Sequence, residues 1–137
     1  MTTDQRTHLA PACRGILDTL LGRCPGLLWA SVSTRDGFEV ASAGDRAHES
    51  LAVMSGTMHA LADGMAAEAS LGACHDIILS SDGGRIAILS ARDGADGLVL
   101  AGMGEPGMTL GMLLSCCSAA CTELAQAQSA APGRAPA

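Results

Sequence analysis

Residues 47–70, AHESLAVMSGTMHALADGMAAEAS, carry the longest helical pattern in the chain. Leu51, Met54, Met58, Leu61 and Met65 recur at alternating spacings of three and four, which lines five long apolar side chains along one helical stripe. A second line, Val53, Thr57, Ala60, Gly64 and Ala67, runs along the flank and is made mostly of small residues. Small residues let another backbone come close. A helix that covers only its own sheet needs a single apolar stripe. Two readings therefore stand, an ordinary core helix and one that also forms a subunit or partner interface. With the first stripe buried, Met58→Asp is expected to be far more damaging than Ala62→Asp. Gly56 and Gly64 each cost a helix up to about 1 kcal/mol relative to alanine, so they are expected where packing is close.

Upstream, LLWASVS (27–33) and FEVAS (38–42) flank Thr34-Arg35-Asp36-Gly37. Asp-Gly between two short β-prone runs predicts a hairpin, because both residues tolerate the positive φ of a tight turn. The first run places Leu28, Ala30 and Val32 on one face and Leu27 and Trp29 on the other, the pattern of a central strand covered on both sides. The second, with Glu39 and Ser42, reads as an edge. Downstream, residues 73–80, 85–91 and 98–103 are three further strands joined by Asp82-Gly83-Gly84 and by the turn-forming residues 92–97. Such short links predict an antiparallel meander.

Two more helices close the chain at its ends. Cys13, Ile16, Leu17, Leu20 and Cys24 recur helically over residues 7–23, with Pro11 expected near the first turn. Leu110, Leu113, Leu114, Cys117, Cys121 and Leu124 mark the buried stripe of a last helix over about residues 108–126. The order is α-β-β-α-β-β-β-α. It predicts an α+β fold with a five-stranded antiparallel sheet, the long central helix on one face and the two terminal helices on the other. Residues 1–6 read as a flexible leader, 7–127 as one domain, and the Ala- and Pro-rich residues 128–137 as a disordered tail.

Composition removes several functions. Apolar residues make up 48% of the chain, yet there is one Trp, one Phe and no Tyr, a poor palette for stacking bases, sugars or flat cofactors. No lysine occurs, and eight arginines are scattered against fourteen acids for a net charge of −6. Without a basic cluster, neither nucleic acid nor an anionic membrane surface is an expected partner. Residues 106–122 are uncharged but short of the roughly 20 that span a bilayer, and Ser, Thr, Gly and Cys dilute them, so membrane insertion is not expected. The opening MTTDQRTHLAPACRG lacks a basic segment followed by an apolar run, which points to the cytoplasm.

The reactive residues form no familiar constellation. A P-loop needs a lysine. His48-Glu49 begins like a zinc-protease motif, but Ala52 stands where the second histidine belongs. No G-x-S-x-G elbow occurs. His8, His48, His59 and His75 are dispersed, and none is expected to be a ligand or general base. Six cysteines include no C-x-x-C pair, and adjacent Cys74 and His75 on a strand point to opposite faces. Cys116, Cys117 and Cys121 read as small hydrophobes on an Ala- and Ser-rich helix. An oxidation-sensing thiol among these three is the alternative. The residues thus predict a binding or scaffolding domain, with no catalytic, cofactor or metal site.

SVSTRDGFEVAS (31–42), the long Ala- and Met-rich helix, HDIILSSDGGRIAILSARDG (75–94), GLVLAGMG (97–104) and the final helix together resemble the Roadblock/dynein light chain family, in its prokaryotic form. The resemblance covers about residues 7–127. It implies a homodimer, or a heterodimer with a related Roadblock chain, whose long helices lie side by side and whose sheets join edge to edge. It also implies action by association, since bacterial and archaeal members commonly accompany a Ras-like small GTPase and some regulate its nucleotide cycle. Carried onto this chain, the candidate dimer or partner surface is Leu51, Val53, Met54, Ser55, Thr57, Met58, His59, Ala60, Leu61, Ala62, Gly64 and Met65, with Ser55, His59 and Ala62 expected to be exposed. The family supplies no catalytic residue, and no arginine here can be named a finger. A PAS-like small-molecule sensor uses a similar sheet, but its pocket requires a broken helix and larger lining side chains than this chain offers.

Overall fold

The structure is a computed structural model and describes residues 1–45, 49–91 and 97–130. The elements run α1 (Thr3–Arg23), β1 (Leu27–Thr34), β2 (Glu39–Gly44), α2 (Glu49–Glu68), β3 (Asp76–Ser81), β4 (Gly84–Ser90), β5 (Leu98–Gly104) and α3 (Leu110–Ser129). One sheet has the order β2-β1-β5-β4-β3, and every neighbouring pair is antiparallel. This is the expected α+β architecture. The hairpin and the three-strand meander are joined through β1 and β5, leaving β2 and β3 as the edges.

Turn chemistry fixes the hairpin. The Thr34 amide donates to the Phe38 carbonyl, the Phe38 amide donates back to Thr34 Oγ1, and Gly37 takes φ 92°, a region that favours glycine. The turn between β4 and β5, over residues 92–96, lies outside the described residues.

Alternation along the strands divides the side chains between two layers. Ala30, Val32, Ala87, Leu89, Leu98 and Leu100 join Leu9, Cys13, Leu17 and Leu20 of α1 and Leu113, Cys117 and Leu124 of α3 in the larger core. Trp29, Ile88, Val99 and Ala101 face the other way and meet Ala52 of α2 in a thinner one. Leu28 is exposed beside an irregular register between Leu27 and Trp29, so it does not share the face of Ala30 and Val32 as its spacing predicts.

The terminal helices differ from expectation at their ends. α1 begins at Thr3, so residues 3–6 are helical where a leader was expected. A capping box explains it: Thr2 Oγ1 accepts the Gln5 amide while Gln5 Oε1 accepts the Thr2 amide. Pro11 consequently lies inside the helix instead of in its first turn. α3 starts after Thr109, whose hydroxyl accepts the Met112 amide, and it continues through Gln128, which is buried. α3 thus runs into the first residues of the expected tail, and residues 131–137 lie outside the described residues.

α3 is long and apolar enough to cross a membrane by length and composition. Here it packs against α1, β4 and β5. A disulfide joins Cys24, at the end of α1, to Cys116 on α3. The reading of Cys116 as a small hydrophobe is therefore wrong, and Cys24, expected only as part of the apolar stripe of α1, is its partner. Their 92-residue separation hid a partnership that only the packing of α1 on α3 creates.

Candidate functional site: the outer face of the central helix

α2 lies across all five strands, and small residues seat it there. Ala52, Ser55, Gly56 and His59, at positions i, i+3, i+4 and i+7, are its buried face. At Gly56 the contact is backbone to backbone: a β-carbon there would stand 2.4 Å from the Thr34 carbonyl oxygen and 3.2 Å from Ser33 Oγ. Beneath the helix, the hydroxyls of Ser31 and Ser33 are buried without a hydrogen-bond partner. Ser55 Oγ instead donates to the Leu51 carbonyl one turn back, at 2.6 Å.

Two anchors hold the far half of α2. Asp63 accepts the Cys74 amide at 2.9 Å and the Arg35 guanidinium, and so ties the helix to the approach to β3 and to the β1–β2 turn. The Cys74 amide, followed by the Arg35 interaction, holds the Asp63 carboxyl below its ordinary pKa. At the end of the helix, Ser70 takes a left-handed φ of 59° and the Leu71 amide reaches back to the Ala66 carbonyl at 2.8 Å, closing the last turn.

This seating turns the long-side-chain stripe outward. Leu61 and Met65 are each 68% exposed, Met54 is 56% exposed, and Val53 and Met58 also face solvent. Only Leu51 of the stripe leans into the thin core. The expectation that these five residues cover the sheet is therefore incorrect. Trp29, Ile88 and Val99 already fill the space between the layers, and a helix placed over them must present small residues.

The expected exposure of Ser55 and His59 is reversed for the same reason. They are 4% and 1% exposed, beneath the helix, whereas Ala62 is half-buried at its flank. Of the other candidates, Thr57, Ala60 and Gly64 are exposed, and Ala60, Leu61, Gly64 and Met65 share a shallow depression with Glu68 and Ala69. Gly56 meets the close packing expected of it, but a β-carbon on Gly64 would meet nothing within 4 Å.

Sequence reasoning missed two neighbours of this face. Leu71, just past the end of α2, and Leu79, on edge strand β3, are both exposed apolar side chains. Ile77 packs with the α2-side core, and Leu79, two residues on, shares its face of the sheet. The alternation along Ile77, Ile78 and Leu79 was the available signal.

The site's chemistry is that of a surface. Among the described residues, no group of three or more His, Cys, Asp or Glu side chains is placed to hold a metal ion. The thiols of Cys117 and Cys121 are buried on α3, and burial pushes each up to about 12. They stay protonated at neutral pH, which removes both as oxidation-sensing thiolates.

A five-stranded antiparallel sheet with one helix crossing one face and two terminal helices on the other defines a Roadblock/LC7 fold, and this chain has it. A structure of MglB with tetrameric arrangement matches it with a TM-score of 0.75 at 15% identity, covering 87% of this chain and 89% of that one. The gliding protein MglB from Thermus thermophilus matches at 0.74 and 15%, covering 87% and 90%. A Roadblock/LC7 domain from Streptomyces avermitilis matches at 0.65 and 15%, covering 84% and 90%. At such identities the likeness is one of fold. No family model and no curated protein matches the sequence.

Proposed function

We propose that the outer face of α2 is a subunit interface, and that the resulting dimer is a non-catalytic scaffold that binds a Ras-like small GTPase. The observation that carries the first half is the row of exposed Val53, Met54, Met58, Leu61 and Met65 on one helix. Contiguous exposed apolar side chains of this size mark an interaction site on a soluble domain. A second copy of the chain, or of a related Roadblock chain, fits it best. Leu79 on edge strand β3 continues the apolar surface beyond the helix, and an edge strand offers unpaired backbone groups to a matching edge. The tetrameric arrangement of the MglB neighbour supports self-association as well.

The GTPase half rests on the resemblance carried by residues 31–42, 75–94 and 97–104, together with the shared fold. In this reading the protein belongs to the prokaryotic Roadblock proteins, works in the cytoplasm, needs no cofactor of its own, and alters nucleotide turnover through its partner's site. The test is to titrate the purified protein into each Ras-like GTPase of its own organism, loaded with GTP and separately with GDP, and to follow binding in both states and phosphate release from the GTP form. Saturable binding to one of them, abolished by Leu61→Asp, supports the reading. Failure to bind any of them in either nucleotide state refutes the GTPase half.

A further inference from the structure

We propose that the Cys24–Cys116 disulfide is a reversible redox clasp between the two terminal helices, closed by oxidation and opened by a dithiol reductant. Cys24 caps α1, its amide donating to the Leu20 carbonyl at 3.1 Å, and Cys116 lies one turn beyond Met112 on α3. The bond therefore fixes the end of one helix to the early part of the other. Both cysteines line a cleft of about 230 Å³ between the helices, together with Leu20, Arg23, Ser115 and Glu123. Cys24 is buried and Cys116 half-buried, so a reductant entering the cleft meets Cys116.

The exchange then proceeds in two displacements. A thiolate of the dithiol attacks Cys116 Sγ, a mixed disulfide forms, and Cys24 leaves as a thiolate that takes a proton from water. Arg23, beside Cys24 in the chain, is paired with Glu123 of the same cleft at 3.6 Å, so the leaving thiolate meets a locally balanced pair of charges. The second thiol of the reductant displaces Cys116 and closes the reductant's own disulfide. The protein gains the two electrons and two protons that the dithiol loses.

Opening the clasp leaves the fold in place. Leu9, Leu17 and Leu20 of α1 and Leu113 and Leu124 of α3 remain packed in one core without it. Neighbouring thiols do not scramble the pair. Cys117 and Cys121 are buried in that same core, where desolvation keeps them protonated. The clasp lies on the sheet face opposite α2, so it does not rest on the dimer reading.

The test uses the full chain carrying Cys74→Ser, which removes the half-buried free thiol. The protein is equilibrated with oxidised dithiothreitol, then reduced, then reoxidised, with iodoacetamide labelling, circular dichroism and a melting curve at each stage. The expected result is no label when oxidised and one label, at the half-buried Cys116, when reduced, with the buried Cys24 labelling only on unfolding. Helix content is retained, the melting temperature falls by roughly 10 °C on reduction, and reoxidation restores it. Cys116→Ser melts at the lower temperature under both conditions. An oxidised protein that labels at Cys116, or an unchanged melting temperature on reduction, overturns the proposal. So does loss of helix on reduction, which makes the bond a permanent staple; this last readout needs no cysteine change at either end of the bond.

Discussion

Gly56 of α2 and Thr34 of β1 meet backbone to backbone, with room for no side chain between the helix and the Thr34 carbonyl oxygen. The contact sets the height of the helix above the sheet. It therefore decides which of its faces is hidden and which is offered to a partner.

Gly56→Ala would force that backbone contact apart. The cost of overpacking, about 1–3 kcal/mol, outweighs the roughly 1 kcal/mol that alanine returns to a helix interior. A lower urea midpoint is expected. Gly15→Ala on α1, where an added β-carbon meets nothing within 4 Å, is the control and raises the midpoint.

Ala52 is fully buried against Trp29, Ile88, Val99 and Ala101, and Ala52→Asp strands a charge in that core. Such a change costs several kcal/mol and is expected to abolish the cooperative melt. Met58→Asp, on the outer face, keeps the helical circular dichroism spectrum of the subunit. That contrast replaces the one between Met58 and Ala62 drawn from the periodicity.

The fold was legible because local signals agreed: the Asp-Gly turn, the alternating strands and the short links leave few other arrangements. The side of α2 that faces the sheet was not legible. Hydrophobic periodicity identifies an apolar stripe but is blind to whether the matching surface belongs to the same chain. Gly56 carried part of the missing information, but Gly64 in the same helix has open space around it, so a helical glycine alone does not mark the seated face. The capping box of Thr2 and Gln5 was equally present in the sequence and was overlooked beside the stronger periodic stretch that follows. The Cys24–Cys116 pair is different, because only the tertiary packing of two distant helices reveals it.

Asp63 predicts an acid-sensitive component of stability. Its carboxyl is held below the ordinary value by the Cys74 amide and Arg35, so the native state favours the ionised form. That contribution is full above the unfolded-state pKa of about 4 and is lost as pH falls through the lower folded-state value. The difference in urea midpoint between wild type and Asp63→Asn is expected to be constant from pH 8 to about pH 5. It should shrink below about pH 4. A difference that grows in acid contradicts the assignment.

Thiol reactivity should divide by burial. Cys117 and Cys121, each raised to about 12, and Cys13, raised to about 11, resist iodoacetamide in the native protein at about pH 7.5. Cys74, half-buried at the surface, labels first. Peptide mass spectrometry after timed quenching reads the order directly.

The subunit interface on α2 is tested most directly by native mass spectrometry of the purified wild-type chain and its Leu61→Asp variant at matched concentrations. The account predicts a wild-type dimer, or an even-numbered assembly of dimers, and a folded Leu61→Asp monomer with an unchanged helical spectrum. A wild-type monomer at tens of micromolar, or a Leu61→Asp protein that assembles as wild type does, contradicts it.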